Sequence, residues 1–389
     1  MDAIDALCLC LVALVAWCMG RYGCAQTEKK TDKKDKFNKD YLIGLNYLLT
    51  EQPDKAVDVF MKLLSVDNET VETHLALGHL FRKQGQIERA IRIHQNLIAK
   101  PQLMRKQRTQ AILALGEDYL RVGVLDRAER LLLDVVASED YQAQALVLLL
   151  DIYQQEKEWQ KAIDMAQQYQ SLTETPMEKC IAQYYCELAI LAKQHSHLEG
   201  AFQYLKRALA IDRHCVRASL LQGEWEMIQQ EFKAALKSFH RVFEQDPAYV
   251  GEALPSLSLC YQKLDQSQAY RTLLIGYLSK IQHVGVAISV ASLIEKEESI
   301  EAAAGFMAEQ LYHFSSLEGL GCLVELQLKV LEGQAKYHLQ ILSHVIATLQ
   351  KKYAAYRCMD CGYAAQTLHW QCPYCHHWGT GKPAIGLES

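Results

Sequence analysis

The chain has 389 residues, half of them hydrophobic and 22% charged, with a net charge of −5. That length suits two or three ordinary domains or one long repeat array, and with only 7 prolines the composition excludes long disordered stretches. The acidic balance argues against bulk nucleic-acid binding.

The first element is residues 3–20, AIDALCLCLVALVAWCMG, apolar apart from Asp5. As a helix it would span roughly 27 Å at ~1.5 Å per residue, enough for a bilayer core. Arg21, Lys29, Lys30, Lys33, Lys34, Lys36 and Lys39 follow it, whereas Asp2 and Asp5 begin it. Positive flanks stay in the cytoplasm, so residues 1–21 read as a single-pass anchor with the body on the cytoplasmic side. A cleaved signal peptide, a lipoprotein leader at Gly23-Cys24 and a buried soluble helix are the alternatives. The acidic start opposes the first and Arg21-Tyr22 opposes the second. Residues 22–36 read as a charged linker near the headgroups.

From residue 37 the chain repeats itself. Gly44, Gly78, Gly116, Leu150, Ala189 and Gly223 each precede an alanine by twelve residues: Ala56, Ala90, Ala128, Ala162, Ala201 and Ala235. The alanines recur at 34, 38, 34, 39 and 34 residues, the period of tetratricopeptide helical hairpins. The small residues suit places where two helices cross closely. Tyr47, Tyr119 and Tyr153 fit gaps between hairpins, and Asp246-Pro247 ends a helix. Residues 101–108 and 172–179 read as longer loops. Six hairpins therefore fill 37–250. Residues 251–353 read as degenerate hairpins and a final helical pair, with Ser258, Tyr261, Ala291 and Ala303 as remnants of the pattern. The fold class is all-α, a right-handed superhelix whose helix-A face normally holds another polypeptide.

The last element, 354–389, carries the strongest chemical signal. Cys358 and Cys361 form one Cys-x-x-Cys pair, and Cys372 and Cys375 form another ten residues on. Two facing pairs complete a tetrahedral four-sulfur site for one metal ion. Gly362 suits the tight turn after the second ligand, and His376 stands at the equivalent place in the second knuckle. His369, His376 and His377 read as surface residues, because four thiolates already fill the shell. A closed shell leaves no position for substrate, so the metal reads as structural or redox-sensing. Iron and zinc both fit. The other nine cysteines, at 8, 10, 18, 24, 180, 186, 215, 260 and 322, show no disulfide framework, and free thiols suit a reducing compartment. No zinc-protease, phosphate-loop or nucleophile-elbow motif is present, so the chain does not read as an enzyme.

The order of anchor, hairpin repeats and terminal cysteine module resembles the lipopolysaccharide assembly protein B family along essentially the whole chain. Its most specific parts are Tyr356-Arg357-Cys358, Thr367-Leu368-x-Trp370 leading to Cys372-Pro373-x-Cys375, and Lys382-Pro383 with Gly386-Leu387. The resemblance implies an inner-membrane adaptor that restrains lipopolysaccharide synthesis. It implies action with a membrane AAA+ metalloprotease to degrade the lipid A deacetylase, and a sulfatase-like inner-membrane antagonist. It also implies a rubredoxin-like tail packed on the repeats, with iron held by Cys358, Cys361, Cys372 and Cys375. A homodimer is allowed. The rivals are a redox protein, a generic assembly scaffold and a nucleic-acid-binding zinc ribbon. Lys351, Lys352, Arg357 and Lys382 are too sparse for the last.

Overall fold

The computed structural model describes residues 71–384 apart from 102, 282 and 314, and isolated positions between 42 and 59. The expected anchor and linker, most of the first hairpin and Gly386-Leu387 lie outside the described residues. Among the described residues, no helix is long and apolar enough to cross a membrane. The chain divides into two units, Met1–Tyr141 and Gln142–Ser389.

In the first unit, α1 (Val71–Lys83) and α2 (Ile87–Ile98) form one hairpin, and α3 (Arg105–Val122) and α4 (Leu125–Val136) form the next. The expected insertion at 101–108 is shorter than the sequence suggests, because α3 begins at Arg105. Asp118, fully buried on α3, accepts from Arg82 of α1 at 2.6 Å and bonds His94 of α2 at 2.5 Å. Burying a carboxylate is tolerable only when it is paired in this way, so this contact ties three helices together.

The second unit continues with α5 (Gln142–Gln155), α6 (Trp159–Thr173), α7 (Glu178–Gln194), α8 (Leu198–Ile211), α9 (Val216–Ile228) and α10 (Phe232–Gln245). After a 3-10 turn at Pro247–Tyr249 come α11 (Val250–Lys263), α12 (Ser267–Leu278), α13 (Val284–Glu297), α14 (Ile300–His313), α15 (Leu317–Val330) and α16 (Gly333–Lys352).

One packing rule runs through both units. Ala90, Ala128, Ala162, Ala201 and Ala235 have no exposed surface. Sixteen residues after Gly78, Gly116 and Gly223 stands the side chain that covers each of them, His94, Leu132 and Phe239. A Cβ added at Gly116 would come within 3.0 Å of Leu132, and one at Gly223 within 2.7 Å of Phe239. Where helix A carries the bulky Leu150, the covering position is Ala166, so volume is exchanged between the two helices. Among the described residues, seven positions after Gly78, Gly116, Leu150, Ala189 and Gly223 the backbone turns left-handed, at Gly85, Gly123, Lys157, Ser196 and Gln230.

The same register continues beyond 250. Ser258 is followed by left-handed Asp265, then by buried Tyr270 in place of the alanine and fully buried Leu274. Ala291 is followed by Ala303 and Met307, both fully buried. The repeat architecture therefore persists there although its marker residues have changed. The final segment is a three-stranded antiparallel sheet, with β1 (Tyr356–Cys358) between β2 (Ala364–Ala365) and β3 (Gly381–Pro383).

Candidate metal centre

The two cysteine knuckles are near copies of each other. Cys358 N–H donates to Tyr363 O at 2.8 Å, and Cys372 N–H donates to His377 O at 2.9 Å. Gly362 N–H returns to Cys358 O and His376 N–H to Cys372 O, both at 2.9 Å. Each turn closes through a left-handed residue, Gly362 at φ 77° and His376 at φ 60°. The second knuckle thus adopts the glycine-like conformation with a histidine, at some cost in backbone strain.

This folding brings all four thiols together, their Sγ atoms lying within 4.8 Å of one another. The closest approaches are 3.7 Å for Cys358–Cys375 and 3.6 Å for Cys361–Cys372, each between knuckles. A metal–sulfur bond of ~2.3 Å requires sulfur–sulfur edges of ~3.8 Å in a tetrahedron. The donor set therefore fits one tetrathiolate ion. Backbone N–H groups of Asp360 and Cys361 donate to Cys358 Sγ, that of Tyr363 to Cys361, and that of His377 to Cys375. Burial raises the Cys358 thiol, but the Thr380 hydroxyl at 3.2 Å and those amides outweigh it and bring it down to about 6. His377 N–H lowers Cys375, whereas burial and the three neighbouring sulfurs push it up to about 12. Four crowded sulfurs cannot all ionise without a cation among them. Cys358 and Cys372 are buried, Cys375 is half-buried and Cys361 faces solvent.

His369, His376 and His377 stand exposed, as expected for surface residues, and His377 pairs with Asp360 at 2.7 Å. Among the described residues, no other histidine, cysteine or carboxylate cluster has ligand spacing.

The module sits on the helix-A side of the repeats. Trp378 Nε1 donates to Gln154 of α5 at 2.7 Å, and its ring meets Trp159 and Tyr184 edge-on at 6.0 and 5.9 Å. Trp370 stacks on Tyr249 at 5.5 Å. Arg217 of α9 lies over both tryptophans, 6.0 Å from Trp370 and 5.7 Å from Trp378, and is held from behind by Glu187 at 2.6 Å. Tyr249 donates to Gly381 O at 2.7 Å, Lys382 pairs with Asp246 at 2.9 Å, and Tyr356 bonds Glu252 of α11. Gln366 caps the end of α16 by donating to the carbonyls of Lys351 and Tyr353. Trp159 thus has a role beyond the core, as a docking surface for the module. Gln154, Tyr184, Arg217, Tyr249 and Glu252 carry no local signal that would mark them as anchors.

A family model described as a rubredoxin metal binding domain matches residues 356–383. Tetratricopeptide models match 41–70, 73–106 and 113–176. A relative in Escherichia coli (strain K12), lipopolysaccharide assembly protein B, is 37% identical over 98% of this chain and 98% of its own length. The protein of the same name in Haemophilus influenzae is 34% identical over 98% of both chains. With repeats, terminal cysteine module and full-length similarity all in agreement, the chain belongs to the lipopolysaccharide assembly protein B family.

Proposed function

We propose that this protein is an inner-membrane adaptor that lowers lipopolysaccharide output by bringing the lipid A deacetylase to a membrane AAA+ metalloprotease. The family assigns a role in lipopolysaccharide assembly. The support for an adaptor is the way the terminal module is built into the repeats. Cys358, Cys361, Cys372 and Cys375 would hold one ion as a closed four-thiolate shell, iron by family resemblance, with zinc as the other fit. When bound, such an ion cross-links the two knuckles and so stabilises a segment too small to hold a core alone.

The protein's own residues do the rest. Trp370, Trp378 and Lys382 fix the module to α5, α7, α9 and the turn before α11, which stiffens the helix-A face of these repeats. The occupied part of that face is unavailable to a partner. A partner polypeptide therefore engages the module's outer surface or repeats outside its footprint. An anchor at residues 1–21 would confine the adaptor to the plane of its partners and raise their effective concentration without new contacts.

Affinity capture of the full chain from membranes tests this. The protease and the deacetylase should co-purify with the natural chain and be weakened by Cys358→Ser with Cys372→Ser. Removing residues 1–20 should leave a folded body that no longer regulates. Recovery of neither protein, or full regulation by the truncated chain, would contradict the proposal. A second reading, electron transfer, draws on the solvent-facing Cys361 edge. It requires an iron-loaded centre whose reduction changes activity.

A further inference from the structure

We propose that Cys186 and Cys215 form a peroxide-sensitive dithiol site beneath the seat of the metal module, in which Cys215 is the attacking thiol and Cys186 closes a reversible disulfide. The two cysteines are 29 residues apart in sequence, yet their Sγ atoms lie 3.9 Å apart. Both are buried, Cys186 within α7 and Cys215 at the N-cap of α9. Closing to a disulfide bond of ~2.05 Å needs a movement of about 2 Å. Cys215 ends the short loop after α8, so side-chain rotation and a small loop shift supply it. Among the described residues outside the metal centre, no other two thiols lie in contact.

The surroundings give the two sulfurs different parts. Cys186 donates its proton toward Cys215, and that bond, helped by the Ala218 amide in the first turn of α9, holds Cys215 below the ordinary thiol range despite its burial. Burial pushes Cys186 well above that range, so it stays protonated. Burial raises Cys180, Cys260 and Cys322 as well. A thiolate at a helix N-terminus is the reactive form of cysteine. Cys215 follows the exposed Arg213 and His214, which line an open cleft of about 640 Å³ between the loops before α7 and α9. The cleft brings a molecule of peroxide's size within one residue of the thiol.

The oxidant is a hydroperoxide. The Cys215 thiolate attacks one peroxide oxygen, the O–O bond breaks, and the sulfur becomes a sulfenic acid as hydroxide leaves. Cys186 then attacks that sulfur. The S–S bond forms, the S–O bond breaks, and the Cys186 proton leaves with the departing oxygen as water. For hydrogen peroxide the sum is two thiols and one peroxide to one disulfide and two waters, and a dithiol reductant returns the two electrons. In a reducing compartment such a bond is transient, so it reports oxidant instead of stapling the fold.

The pair also lies under the module's anchors. Gln183 donates to Cys215 Sγ at 3.8 Å and accepts from Arg217 at 3.3 Å, and Arg217 lies over Trp370 and Trp378. Tyr184, on the same helix as Cys186, meets Trp378 edge-on. Drawing Cys215 toward Cys186 therefore moves Gln183 and Arg217, and oxidation loosens the module on its seat.

The test treats the full chain, as purified, with hydrogen peroxide, blocks the remaining thiols with N-ethylmaleimide on unfolding, and maps unreduced peptides by mass spectrometry. Peptides joined through Cys186 and Cys215 should appear, and should separate after dithiothreitol. Cys215→Ser should abolish oxidation at Cys186, whereas Cys186→Ser should leave a sulfenic acid on Cys215 that dimedone traps, both with the circular dichroism of the natural chain. Hydrogen exchange then reads the seat. On peroxide treatment β3 and the second knuckle should lose protection in the natural chain but not in Cys215→Ser, which controls for attack on the metal-binding thiols. Cys186 and Cys215 both fully blocked by N-ethylmaleimide after peroxide would overturn the proposal. A sulfenic acid on Cys186 in the Cys215→Ser chain would overturn the assignment of roles. Exchange that is unchanged by peroxide, or changed equally in Cys215→Ser, would overturn the link to the module.

Discussion

Trp378 is the place where the metal module and the repeats depend most on each other, and its removal has a calculable effect. The side chain is half-buried, so Trp378→Ala forfeits about half of the ~3–5 kcal/mol lost when a buried tryptophan is truncated in a core. Its edge-on contacts with Trp159 and Tyr184 add about 0.5–1.5 kcal/mol beyond area. The bond to Gln154 adds about 1 kcal/mol. Docking should therefore weaken by about 3–5 kcal/mol, a factor of roughly a hundred to a few thousand in the undocked population. Trp378→Phe keeps the ring contacts and loses the hydrogen bond, so it should cost about 1 kcal/mol. Hydrogen exchange on the full chain separates the cases. In Trp378→Ala, amides of β1, β3 and both knuckles should lose protection while those of α1–α4 do not. Equal protection in the natural chain and Trp378→Ala would refute the docking argument.

Three further outcomes are expected. Gly223→Ala should destabilise the chain by about 1–3 kcal/mol by driving a methyl into Phe239, and Phe239→Leu should relieve it, because the preceding hairpin holds the same alanine and leucine, Ala189 and Leu205, at the matching positions, both fully buried. A thermal-melt double-mutant cycle would show this as positive coupling. His283 caps α13 by accepting from Gly285 N–H at 3.1 Å, and burial holds it below its ordinary 6.5, so its folded form is the neutral one. The unfolded chain binds that proton more readily, so its contribution is present above pH 6.5 and lost as pH falls through the folded value. His283→Asn should keep the cap and flatten that part of the melting-temperature profile between pH 7 and 5. Gln154→Ala removes the acceptor shared by Trp378 and Gln371, and should loosen the second knuckle by about 1–2 kcal/mol in the same hydrogen-exchange measurement.

The parts of this fold legible in the sequence were those encoded by neighbours. Two Cys-x-x-Cys pairs with Gly362 specify a local turn, and an alanine twelve residues after a small residue specifies one helix crossing. The pattern faded after 250 because Tyr270 took the alanine's place, although the left-handed turn at Asp265 kept the register. The seat of the module was not legible. Trp378 and Gln154 are 224 residues apart and Lys382 and Asp246 are 136 apart, so no local spacing connects them. Arg217 likewise looks like any surface arginine in sequence, yet it is buried between Glu187 and two tryptophans.

The most direct test is the metal content of purified full-length protein, read together with its melting curve before and after chelation. One ion per chain is expected. Its removal should lower the melting temperature and open the segment after Lys352 to protease while the earlier helices resist. Protein that carries no ion, and melts identically with serine at positions 358, 361, 372 and 375, would contradict the account.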